Sequence, residues 1–131
     1  MPMKKQLHLL FAVSLLLLGS CRGHYNFLTQ EIRSVKIMRV GDLEGNLYDS
    51  IELKDPKEIE HLVHELNNNH KEEWEFYPLY LIVLQYRDSP IYVPVNHNGI
   101  KIDGASYKTE SNLNTILSQE IELNLYPSNN Q

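Results

Sequence analysis

Apolar and polar positions divide the chain into one long apolar run followed by short patterned segments. Leu9 to Leu18 (LLFAVSLLLL) is apolar except for Ser14, and Lys4 and Lys5 precede it. Ten helical residues rise about 15 Å, half of a bilayer's roughly 30 Å hydrocarbon core. The run is too short for a spanning anchor and has the layout of a signal-peptide h-region behind a positive n-region. Arg22 to Gln30 lacks periodicity and reads as a tether. Glu31 to Val40 is rich in β-branched and long side chains and predicts a first strand. A turn with two glycines, Gly41 and Gly45, follows it. Leu47 to Leu53 predicts the returning strand of a hairpin. Leu47, Ile51 and Leu53 fall on one face, and Tyr48, Ser50 and Glu52 on the other.

The next pattern is helical. Asp55-Pro56-Lys57-Glu58 supplies an N-cap, a proline at the first helical position and a glutamate at the third. Ile59, Leu62, Val63 and Leu66 then form one apolar stripe. Asn67-Asn68-Asn69 ends the helix, because asparagine tolerates left-handed backbone and competes for backbone hydrogen bonds. Trp74 to Tyr86 (WEFYPLYLIVLQY) is the core strand region, and its all but continuous apolar stretch Leu79–Leu84 predicts a central strand. Pro78 marks a bulge or the strand start. Arg87-Asp88-Ser89-Pro90 turns the chain. Ile91 to Val95 follows as a strand, with Pro94 pointing to an irregular or edge position. Asn98-Gly99 signals a hairpin into Ile100 and Ile102. Ser111 is placed to cap a second helix carrying Leu113, Ile116, Leu117 and Ile121, and the polar end of the chain reads as frayed.

The predicted order is β-β-α-β-β-β-α. It describes an α+β fold, an antiparallel sheet of about five strands with two helices packed on one face. The implied division is a signal segment 1–20, a tether 21–30, one domain 31–122 and a flexible tail 123–131.

Leu18-Gly19-Ser20-Cys21 closes the apolar run with an aliphatic residue, two small residues and the only cysteine in the chain. Ordinary signal peptidase requires small residues at −3 and −1, and cutting after Ser20 would put bulky Leu18 at −3. The stretch instead resembles the lipobox of bacterial lipoproteins. That resemblance implies a diacylglyceryl thioether on Cys21, which becomes the new N-terminus and anchors the chain, with further acyl chains making attachment stable. It implies an envelope location. Arg22, where retained lipoproteins carry aspartate, implies the outer membrane if the cell is Gram-negative. The body also resembles small bacterial lipoproteins of uncharacterised function. These have a helix opened by Asp-Pro, a hydrophobic meander and an Asp-Gly-x-x-Tyr turn into a final helix, here Asp103-Gly104-Ala105-Ser106-Tyr107. A lone cysteine forms no intramolecular disulfide, so the domain stands on its core.

Loss of residues 1–20 leaves ten basic against seventeen acidic residues, a net charge of −7 with neutral histidines. Phosphate binding needs a basic footprint, so nucleic acid is excluded as the expected partner. An acidic domain is suited to a basic protein partner or to cations.

Candidate chemistry is sparse. His61 and His64 lie at i, i+3 on the predicted helix, about 60° apart and away from its apolar stripe, with His70 just beyond. They invite a Zn²⁺ or Cu²⁺ site, although the spacing is not that of a zinc protease. Glu72, Glu73 and Glu75, or Asp42 and Glu44, offer paired carboxylates, which need a cleft at a set separation to act as acid and base. Neither a G-x-S-x-G nucleophile turn nor a phosphate loop occurs in the sequence. Aromatic residues are the stronger lead. Trp74, Tyr77, Tyr80, Tyr92 and Tyr107 fall on the meander and its exit, where exposed rings make good protein interfaces. The expectation is a non-enzymatic binding or accessory domain, of inhibitor or immunity type, that needs no cofactor. The alternative is a metal- or ligand-handling lipoprotein using His61, His64 and His70.

Overall fold

The computed structural model describes residues 23–41 and 46–125. The expected signal segment, Cys21, the first turn with Asp42 and Glu44, and residues 126–131 lie outside them. The described chain contains strands β1 (Ile32–Val40) and β2 (Leu47–Leu53), helix α1 (Pro56–Asn67), and strands β3 (Asn69–Lys71), β4 (Tyr80–Tyr86), β5 (Pro90–Val95), β6 (Gly99–Ile102) and β7 (Ala105–Thr109). Helix α2 (Leu113–Leu125) comes last. The class is α+β. All seven strands pair antiparallel in one open sheet, in the order β2-β1-β4-β5-β6-β7-β3.

The expected five strands become seven. Short, polar β3 and β7 escaped the sequence pattern. β3 (Asn-His-Lys) has no apolar position, and β7 (Ala-Ser-Tyr-Lys-Thr) has little alternation. They pair with each other, Asn69 opposite Thr109 and Lys71 opposite Tyr107, so position rather than hydrophobicity makes them strands. β4 is interior, as the run Leu79–Leu84 demands, but it begins at Tyr80. Residues 72–79 form a crossover instead of extending the strand to Trp74.

One face of the sheet holds the core. Val35 and Ile37 of β1, Ile51 and Leu53 of β2, Ile82 and Leu84 of β4, and Val93 and Val95 of β5 are buried in a single cluster. Ile100 and Ile102 of β6 join them. The stripes of both helices complete it: Ile59, Leu62, Val63 and Leu66 from α1, and Leu113, Leu117 and Ile121 from α2. Burying the four α1 side chains contributes about 6–12 kcal/mol before the entropy of ordering is set against it. Asp55 caps α1, its carboxylate accepting from the Lys57 amide at 3.2 Å, with Pro56 opening the helix. α2 starts one residue later than a Ser111 cap would place it. Asn112 caps it by accepting from the Thr115 amide at 3.2 Å, and the Ser111 hydroxyl donates to Glu65 instead.

The hairpin expected at Asn98-Gly99 stands and joins β5 to β6, with Val95 opposite Ile100; two other features differ from expectation. Asp103 (φ 51°) and Gly104 (φ 78°) both have left-handed backbone and join β6 to β7 as the two-residue hairpin. Gly99 closes the β5–β6 turn and is the first residue of β6, where its lack of a side chain admits the Trp74 ring. In β2 a bulge at Asp49 (φ 52°) shifts the register, so Tyr48 lies opposite Arg39 and Leu47 opposite Val40. Leu47 therefore leaves the face it was expected to share with Ile51 and is 46 % exposed.

The segment read as a tether packs onto the body over its described part. Phe27 is buried in the core cluster, with the Tyr25 ring 4.7 Å away. Two asparagines hold it. Asn69 accepts from the Tyr25 amide and donates back to the Tyr25 carbonyl, both at 2.9 Å. Asn67 does the same for Phe27, at 2.7 and 3.0 Å. Each carboxamide reproduces a backbone peptide group, and the Lys71 amide adds a true backbone bond to the Gly23 carbonyl at 2.6 Å. The Asn67-Asn68-Asn69 run thus ends a helix and also clamps a strap, Gly23–Leu28.

Candidate functional site

Both helices cover one side of the sheet, and alternation along the strands delivers every second side chain to the other. Among the described residues no helix packs on that other side, and the ladder registers arrange this helix-free face in rows. Met38, Leu81 and Pro94 lie side by side across β1, β4 and β5. The adjoining row runs Glu52, Lys36, Val83, Tyr92, and a third runs Ser34, Gln85, Pro90. Tyr92 is 61 % exposed, whereas Met38, Leu81 and Pro94 are half-buried. Val83 is buried yet stands outside the core cluster, as a residue facing away from the helices should. The result is an apolar strip with one large exposed ring, bordered by Lys36 and Glu52.

The crossover covers the same face farther along the sheet. Gly99 and Lys108 alternate with core-facing Ile100 and Tyr107, so they point to the helix-free side. There the Lys108 ammonium sits 5.8 Å from the Trp74 ring centre, and Phe76 meets the ring edge-on at 5.8 Å. A small charge network borders this aromatic pair. Glu72 lies 3.1 Å from His70 and 3.7 Å from Lys108, and Glu110 approaches the other ring nitrogen of His70 at 3.8 Å.

The five aromatics expected on one binding face separate. Tyr92 is on the helix-free face and Trp74 lies over β6 and β7. Tyr77 is 66 % exposed on the crossover, its hydroxyl donating to Glu75, a bond that raises its pKa. Tyr80 and Tyr107 turn to the helix side. Tyr80 is buried and donates to the Asn114 side chain at 2.6 Å. Desolvation raises its pKa, the nearby Arg39 charge opposes that rise, and Tyr48 adds to it. Tyr107 packs against the core with Tyr25 at 6.0 Å. Sequence patterning missed Met38, Leu81, Val83 and Pro94. The available signal was the alternate set within β4, since a continuous apolar run places half its side chains on each side.

The histidines also part. His61 and His64 line a shallow depression on the outer side of α1 with Thr29, Lys57, Glu60 and Asn67, while His70 joins the Glu72 and Glu110 network on β3. Among the described residues no three His, Cys, Asp or Glu side chains are gathered as metal ligands. The three acidic residues before β4 are likewise spread. Glu72 engages His70 and Lys108, Glu75 engages Tyr77, and Glu73 lines a separate depression beside Lys101 and Asp103. Among the described residues no helix is long and apolar enough to cross a membrane. No protein family, curated protein or solved structure matches this chain.

Proposed function

We propose that this chain is a lipid-anchored envelope protein whose folded part is a non-enzymatic binding module, of inhibitor or immunity type, that meets a protein partner with the helix-free face of its sheet. The anchor reading rests on the lipobox-like Leu18-Gly19-Ser20-Cys21 behind a signal-like run. The binding reading rests on one observation: the row Met38, Leu81, Pro94 beside Val83 and the exposed Tyr92, on a side that neither of the two described helices packs against. A tyrosine gives large contact area at low entropy cost, and the flanking apolar row supplies a dry centre around it. Lys36 and Glu52 at the border would set orientation more than affinity.

The test is site-resolved photocrosslinking in the native envelope. A photoreactive residue replacing Tyr92 should give one discrete adduct, and one replacing exposed His61 on α1 should not. Equal yields from both positions, or none from position 92, would remove the binding-face reading.

A further inference from the structure

We propose that the strap converts the lipid anchor into a short, fixed mount, so that the β3 edge of the sheet, and not a freely reaching domain, meets the bilayer surface. The inference rests on the lipidation reading of Cys21 and adds what the structure contributes to it. A tether from 21 to 30 would let the domain range over about 30 Å. The strap removes nearly all of that reach. Its first described residue, Gly23, is already bonded through its carbonyl to the Lys71 amide at the sheet edge. Tyr25 and Phe27 are each held by a two-way bond to an asparagine side chain, and the Phe27 ring is buried. Arg22 alone separates Cys21 from Gly23, and two Cα–Cα steps span at most about 7.6 Å.

The geometry then gives the domain a near edge and a far edge. β3 and β2 close opposite ends of a seven-stranded sheet. Six inter-strand steps of about 4.8 Å put them about 29 Å apart. The strap also gives β3 one backbone partner, the Gly23 carbonyl on the Lys71 amide, at an edge that would otherwise leave that amide bare. The asparagine run therefore performs two tasks: it ends α1 and, by holding the strap, it sets the distance between fold and lipid.

The experiment uses the full lipidated protein in phosphatidylcholine vesicles carrying a headgroup energy acceptor. With Cys21 acylated, a single introduced thiol takes the donor dye, either at Glu73→Cys beside β3 or at Ser50→Cys on β2, both exposed positions. The mount predicts several-fold higher transfer from position 73 than from position 50. A flexible ten-residue insert between Arg22 and Gly23 leaves the strap intact and should abolish most of that difference. Asn67→Ala/Asn69→Ala should abolish it by releasing the strap. The insert keeps the test decisive should the double variant fold poorly. Equal transfer from the two positions in the lipidated wild-type protein, or no effect of the insert, would overturn the mount while leaving the anchor standing. Absence of lipid on Cys21 by mass would overturn both.

Discussion

Gly99→Ala offers a sharp test of how the crossover seals the helix-free face. A methyl group built at Gly99 falls 2.3 Å and 2.5 Å from the Cζ2 and Cη2 atoms of Trp74, and 3.0 Å from the Tyr107 carbonyl. Carbon atoms in good contact sit about 3.5–4.0 Å apart, so the ring must retreat by about 1.2 Å or more. The carbonyl belongs to the paired strand β7 and cannot give way, so the indole moves. Its displacement loosens the Lys108 contact and the edge-on packing of Phe76. Overpacking of this kind costs about 1–3 kcal/mol. Trp74 is the only tryptophan in the chain, so its emission reports the ring directly during urea unfolding. The variant should lose about 1–3 kcal/mol and its native emission should shift to the red. In a Trp74→Ala background the same substitution should cost much less. Gly104→Ala is the contrasting control: it has open space around it but φ of 78°, so it should cost about 1 kcal/mol through backbone strain without moving the emission. A Gly99→Ala protein within about 0.5 kcal/mol of wild type and with unchanged emission would refute the close approach.

Burial, followed by the neighbouring Glu58 charge and opposed by His61, raises the pKa of Glu120 above its ordinary 4.5. A raised folded-state value means that its favourable contribution is complete below 4.5 and is lost as pH climbs through the raised value. Glu120→Gln should therefore unfold at higher urea than wild type at pH 7, and the advantage should close as pH falls toward 4.5 and below. Asp55→Ala removes the carboxylate that caps α1 and should cost about 1 kcal/mol in the same assay. Asn114→Ala strips the acceptor from the buried Tyr80 hydroxyl. It should destabilise by about 1–3 kcal/mol, more than a Tyr80→Phe/Asn114→Ala pair, in which no donor is left unpaired.

What the sequence made legible follows physical strength. The α1 stripe and its Asp-Pro cap are local and strong, and both stand where the pattern put them. β4 announced itself as interior through an apolar run that no edge strand carries. β3 and β7 could not be read, because three polar residues become a strand only when a partner strand and a docked strap supply their bonds. The strap itself was invisible for the same reason: Asn67 and Asn69 lie 40 and 44 positions from the backbone groups they hold. The candidate face was legible in kind but not in membership. Tyrosines on the meander marked the region, yet strand parity sent Tyr80 and Tyr107 to the core side and left Tyr92 outside with Leu81 and Pro94. Residue type cannot reveal parity when a bulge, a crossover and a short hairpin each reset it.

Whether this fold works as a lipid-mounted module is decided by the intact mass of the chain recovered from the membrane fraction. The expected species begins at Cys21, lacks residues 1–20 and carries the added mass of a diacylglyceryl thioether on that residue. A Cys21→Ser form should leave the membrane. A membrane-bound chain with an unmodified Cys21, or a Cys21→Ser protein that stays bound, would contradict the lipid mount.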